Sequence, residues 1–253
     1  DGCFITESWR NGDGKMTGFL ESDGRRVVSI VHRCMSIWPL VALKYQCACR
    51  FSGCCRSHRL LWILAHMSLP KSSPYHCLVA APHTPFRDDG SLAPDVVTLQ
   101  AEHLAAQGVK AVFITGTTGE SSSMSVQERV EIYRAWASAA PKHGIRVIAH
   151  VGANALGDSC TLAAEAQALG FDAVSALAPS YFKPASLEML VACCAKIAAA
   201  APSLPFYFYQ IPALTNVRFP MADFLQLGRN RIPTLRGIKY TDPDLVGYRR
   251  CLA

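Results

Sequence analysis

Short apolar runs alternate with helix-like periodicity over most of this chain. The runs fall at 78–86, 110–116, 146–152, 173–179, 205–211 and 234–241, each of a length suited to a buried strand. Between them, apolar residues recur at helical spacing: Val126, Val130, Tyr133 and Trp136, then Leu187, Leu190, Val191, Cys194, Ile197 and Ala198. Pro94 suits a first helical position, and Ser125 followed three residues later by Glu128 has the form of a capping box. Strand and helix alternating at about thirty residues per unit predict an α/β fold of parallel strands with helices outside. A doubly wound sheet and a β/α barrel both satisfy that pattern, and periodicity does not choose between them.

Residues 1–66 break the pattern. They hold turn signals at 11–14 and 22–24 and a candidate short strand at 27–31, but no sustained period. The formal net charge of +6 is concentrated there: 9 Lys and Arg against 5 Asp and Glu, leaving 16 against 14 for residues 67–253. Six of the 11 cysteines lie there too. Cys47, Cys49, Cys54, Cys55 and His58 supply enough donors for zinc, yet their spacing matches no paired Cys-x-x-Cys module. The reading is therefore a poorly structured leader over 1–66, no metal, and a folded domain over 67–253.

The remaining balance of charge shows no basic stripe suited to nucleic acid. The apolar stretches at 37–43 and 60–65 are too short to span a membrane, and the first residues lack the layout of a signal peptide. An odd cysteine total, with Cys160, Cys193, Cys194 and Cys251 in helical segments, reads as reduced thiols and a cytoplasmic location.

The candidate chemistry gathers at the carboxyl ends of the predicted strands, where α/β folds carry their sites. In the last run, alternation puts Leu235, Gly237, Lys239 and Thr241 on one face and Arg236, Ile238 and Tyr240 on the other. An amine in such surroundings is poorly solvated, which lowers its pKa and frees the lone pair that attacks ketones. The second run leads into Thr115-Gly-Thr-Thr-Gly-Glu120, whose glycines permit close backbone approach and whose Thr117 and Thr118 hydroxyls suit a carboxylate. In the fifth run, Tyr207, Tyr209 and Ile211 share a face. If the fifth and sixth runs pair, about 4.8 Å apart, a tyrosine of one shares a pocket with the lysine of the other. A phenol beside an amine suits proton transfer.

Taken together, Thr84-Pro-Phe86, Gly116-Thr-Thr-Gly-Glu120, Tyr209-Gln-Ile-Pro-Ala-Leu-Thr215 and Gly237-Ile-Lys-Tyr-Thr241 resemble the N-acetylneuraminate lyase branch of the dihydrodipicolinate synthase family. Ala213-Leu214 stands where the synthase branch typically carries an arginine. The resemblance covers residues 67–253 and implies a (β/α)8 TIM barrel, usually tetrameric, working as a class I aldolase without metal or organic cofactor. It implies Lys239 as the Schiff-base nucleophile and Tyr209 as proton donor and acceptor. Thr117 and Thr118 would bind the pyruvyl carboxylate, and Thr241, also implied as substrate-binding, would lie beside the lysine on the inward face. Tyr181 falls where relatives offer a tyrosine near a neighbouring subunit's site. The implied substrate is a small sugar acid, N-acetylneuraminate, cleaved to N-acetylmannosamine and pyruvate; the alternatives are another 2-keto-3-deoxy acid or a non-catalytic fragment. Asn216 stands where relatives commonly have glycine. Six strands are two βα units short of a closed barrel, so the expectation is an incomplete one, its first and sixth strands open at their edges and its activity weak or absent.

Overall fold

A computed structural model describes residues 4–7, 16–21, 75 and 77–252. All six predicted strands are present, and they run parallel. In chain order they are β3 (Val79–Ala80), β4 (Ala111–Ile114), β5 (Arg146–His150), β6 (Ala173–Leu177), β7 (Phe206–Gln210) and β8 (Leu235–Tyr240). Alone they make an open, curled half-barrel, the α/β architecture of an incomplete TIM barrel. Two strands nearer the amino terminus, β1 (Phe4–Glu7) and β2 (Met16–Glu21), extend the sheet as an antiparallel pair, giving the order β1-β2-β8-β7-β6-β5-β4-β3. The expectation of an open edge at the sixth strand is therefore corrected: β2 lies along β8, with Phe19 opposite Lys239. β1 in turn comes beside β3. The remainder of residues 1–66, including the candidate strand at 27–31 and the Cys47, Cys49, Cys54, Cys55 and His58 group, lies outside the described residues.

Helices follow the strands on the outer face: α1 (Val96–Ala106), α2 (Val126–Ala139), α3 (Leu156–Ala168), α4 (Leu187–Ala199), the short α5 (Pro212–Thr215), α6 (Met221–Arg229) and α7 (Leu245–Cys251). The capping box at the start of α2 is complete. Glu128 N–H donates to Ser125 Oγ at 3.2 Å and Ser125 N–H donates back to Glu128 Oε2 at 2.7 Å, so two otherwise orphaned donors are satisfied. Pro94 is not the first helical residue: Asp95 occupies the cap position and α1 begins at Val96.

Alternation along the strands sorts side chains into two layers. Val112, Ile114, Val147, Ala149, Val174, Ala176, Phe206, Phe208 and Ile238 face the helices and pack with Trp136, Tyr133, Leu162, Leu190 and Phe224. Val79, Ala111, Phe113, Ile148, Ala173, Tyr207 and Tyr209 face the lumen.

Two local departures have physical causes. The first strand spans two residues where 78–86 was expected, because Pro82 and Pro85 remove ladder donors from the rest of the run. In β8 the register with β7 steps from Phe206 opposite Leu235 to Tyr207 opposite Gly237, so Arg236 is an extra residue in a bulge. Leu235 consequently joins the helix-facing layer and not, as alternation alone implied, the face that carries Lys239.

Candidate active site

Lys239 sits one residue from the end of β8, directly opposite Tyr209 of β7. Its side chain enters the lumen and is only 3% exposed. Nζ lies 4.0 Å from the centroid of the Phe113 ring and 4.1 Å from that of Tyr209, against two rings set edge to face. Burial pulls its pKa from 10.5 down to about 7, because the lumen penalises the ammonium form. Near neutral pH a large share of the amine is therefore uncharged and nucleophilic.

Tyr209 is buried as well, and burial raises its phenol to about 12, with a hydrogen bond to Thr117 acting in the opposite sense. Tyr209 Oη donates to Thr117 Oγ1 at 3.2 Å. Three of the residues anticipated from the sequence, Lys239, Tyr209 and Thr117, are thus brought together.

The loop after β4 is shaped by close contacts. Thr115 adopts φ 47° and Glu120 φ 56°, both left-handed, which is uncommon for any non-glycine residue and more so for a β-branched one. A Cβ on Gly116 would lie 2.5 Å from the Phe113 ring, and one on Gly119 would lie 2.9 Å from the Thr115 backbone. The glycines are therefore required for the loop to pack on itself. Thr84, of the Thr-Pro-Phe segment, fastens the loop from the other side, donating its hydroxyl to Gly119 O at 2.6 Å. Thr117 is exposed at the mouth, whereas Thr118 is buried in the loop.

Thr241, just beyond β8, donates its hydroxyl to Gln210 O at 2.8 Å and its N–H to Gln210 Oε1 at 3.1 Å. Its hydroxyl therefore ties β8 to β7. Asn216 has φ 57° and closes α5 as its C-cap. The left-handed backbone accounts for a glycine-like position, and asparagine is among the few other residues that tolerate it. Tyr181 is 77% exposed and stacks edge to face on Phe182, 86% exposed, in a turn held by Asn154 Oδ1, which accepts from the N–H groups of Ser180 and Tyr181.

Sequence reasoning did not find Phe113, which walls the lysine, nor the buried group of Arg129, Tyr133 and His150. The carbonyl of His150 accepts from Arg129 Nη2 at 2.5 Å, Tyr133 Oη at 2.6 Å and Thr115 Oγ1 at 3.1 Å. Arg129 Nη1 also reaches Gly152 O at 2.9 Å. The one available signal was a histidine closing the apolar run of β5.

The sequence model of the dihydrodipicolinate synthetase family matches residues 75–251. The chain belongs to the dihydrodipicolinate synthetase family. Among its members, this chain is similar to the N-acetylneuraminate lyase of Xenopus tropicalis, 40% identical over 177 residues that make up 70% of this chain and 58% of the relative. Among solved structures, the N-acetylneuraminate lyase (sialic acid aldolase) of Aliivibrio salmonicida is 42% identical with a TM-score of 0.67, over 70% of this chain and 58% of that one. A catalytic lysine mutant of the Ruminococcus gnavus sialic acid aldolase is 29% identical with a TM-score of 0.61, over 66% of this chain and 53% of that one. The chain thus spans rather more than half the length of the family members it matches.

Proposed function

We propose that this chain carries the imine-forming half of a class I aldolase that cleaves N-acetylneuraminate to N-acetylmannosamine and pyruvate. The observation that carries the reading is the pairing of Lys239 with Tyr209 in a buried lumen, with the amine poised near neutrality. The lyase relatives, one of them named for its catalytic lysine, support the substrate class.

In this reading Lys239 Nζ attacks the C2 ketone of the open-chain sugar acid, and loss of water gives a protonated imine. That cation accepts the electron pair of the C3–C4 bond, so the lysine itself provides the electron sink. Tyr209 Oη first gives its proton to the departing hydroxyl of the carbinolamine. As phenolate it takes the proton of the C4 hydroxyl while the aldehyde departs, passes it to C3 of the enamine, and is reprotonated from Nζ after the imine is hydrolysed. Hydrolysis of the remaining imine frees pyruvate. Thr117 and Thr118 hold the carboxylate at the mouth, and Thr241 steadies the strand end beside the lysine. The exposed Tyr181 and Phe182 form the surface through which a neighbouring subunit of a homotetramer would be met. A cytoplasmic setting suits the five free cysteines among the described residues. Among those residues no helix is long and apolar enough to cross a membrane.

Borohydride reduction in the presence of pyruvate, with peptide mass mapping, tests the reading. A sample whose circular dichroism melt shows folding acquires an adduct on Lys239, and Lys239→Met acquires none. A folded wild-type chain without an adduct overturns the aldolase assignment.

A further inference from the structure

Beneath the lysine and tyrosine, the lumen contains two polar side chains that those roles leave unused. His150 and Ser175 occupy paired positions on β5 and β6, two residues on from the lumen-facing Ile148 and Ala173, and each is 0% exposed. His150 Nδ1 lies 2.9 Å from the carbonyl oxygen of Thr115. A carbonyl only accepts, so Nδ1 carries the proton and donates, which leaves Nε2 with a bare lone pair. Burial and the neighbouring Arg129 guanidinium hold the ring neutral.

Among the described residues neither His150 Nε2 nor Ser175 Oγ has a hydrogen-bond partner. Buried polar atoms without partners are rare, because an unsatisfied one gives up its hydration with nothing in exchange. Two on adjoining strands, facing the same lumen, form a matched set: a lone pair that accepts and a hydroxyl that both donates and accepts. Gly152 keeps this face of the imidazole clear, since a Cβ there would fall 2.8 Å from His150 Nε2. The His150 ring stands 5.7 Å from the Tyr209 ring and 5.8 Å from the Phe113 ring, the same two rings against which Lys239 Nζ rests.

We infer that His150 Nε2 and Ser175 Oγ seat the water molecule consumed when the lysine imine is hydrolysed. This rests on the imine chemistry proposed for Lys239. The step balances with no further reactant. The water oxygen bonds to C2 of the protonated imine and becomes the carbonyl oxygen of pyruvate. The C2–N bond breaks with its electron pair going to Nζ, and both water protons finish on Nζ, which leaves as ammonium. His150 and Ser175 are positioning residues in this scheme: they orient the water and undergo no net change.

Oxygen exchange isolates the step, because pyruvate alone passes reversibly through the imine and picks up label from ¹⁸O-water without any sugar. In the full chain, Ser175→Ala removes the hydroxyl with little change in volume. His150→Asn keeps a donor for Thr115 O and removes Nε2. Groups that orient the water speed imine formation and hydrolysis alike, so the amount of borohydride-trapped adduct at equilibrium is unchanged in both variants. Label exchange above the uncatalysed rate slows about tenfold in each, the effect of one lost hydrogen bond to the reacting water. A merely structural role would change trapping and exchange together. Wild-type exchange rates in either folded variant overturn the inference; should His150→Asn not fold, Ser175→Ala alone decides. Absence of a wild-type adduct is a separate result, which removes the aldolase reading and this one with it.

Discussion

On its helix-facing side the sheet buries Trp136, Phe208, Phe224 and Leu190 among other apolar groups, whereas on its lumen side it buries Lys239, His150, Ser175 and Tyr209 beside Phe113 and Tyr207. The same strands supply both, one side chain up and the next down. Burial of an aromatic or aliphatic side chain on the outer layer contributes about 1.5–3 kcal/mol. The fall of the Lys239 pKa from 10.5 to about 7 corresponds to roughly 5 kcal/mol against the buried cation. Charging that one amine would thus offset about two well-buried outer side chains. The outer layer holds the half-barrel together, and the lumen holds groups whose loss of water makes them reactive.

Trp136→Ala gives the largest effect that separates the layers. Trp136 is 1% exposed in the centre of the outer cluster, and its truncation lowers unfolding free energy by about 3–5 kcal/mol in urea titration. If the layers are separate in kind, the folded fraction of that variant still forms its pyruvate adduct with a pH midpoint near 7. A shifted midpoint would show that the lysine depends on outer packing.

The next effect comes from pH. The folded pKa of Lys239 is below its unfolded value, so between about 7 and 10.5 the unfolded chain binds a proton that the folded chain does not. Stability from this group therefore rises with pH across that window, by at most about 1.4 kcal/mol per unit, and is flat below it. Buried cysteines and tyrosines with raised values act oppositely at the alkaline end, so the comparison belongs at pH 7 to 8.5. There the stability of Lys239→Met, followed by urea midpoint, lacks the rise seen in the wild type. Parallel curves would contradict the buried, depressed amine.

The smallest effect comes from the start of α2. Ser125→Ala removes half of the capping box on α2 and lowers stability by about 1 kcal/mol, leaving adduct formation by the folded protein unaltered. An effect on trapping would mean that α2, through Arg129 and Tyr133, transmits its fraying to the β5 terminus.

How much of this was legible follows from the range of the forces involved. Strands, helices and the faces that carry Lys239 and Tyr209 within their own strands come from local alternation, which the chain states residue by residue. The capping box is local too. The cluster around His150 is not: its partners Thr115, Arg129 and Tyr133 are 35, 21 and 17 positions away, and a lone arginine on a helix reads as a solvated charge until a strand end turns its carbonyls toward it. The pairing of β2 with β8 is equally non-local, joining Phe19 to Lys239 across most of the chain. The shortness of β3 was written in Pro82 and Pro85, although the apolar run masked it.

The bulge in β8 has a counting consequence. From Gly237 onward the strand keeps strict two-residue parity with β7, and Arg236 is the surplus that lets Leu235 do the same upstream. A chain lacking Arg236 would close the gap and still aim its amine inward, whereas losing or gaining one residue between 237 and 239 would turn that amine out among the helices.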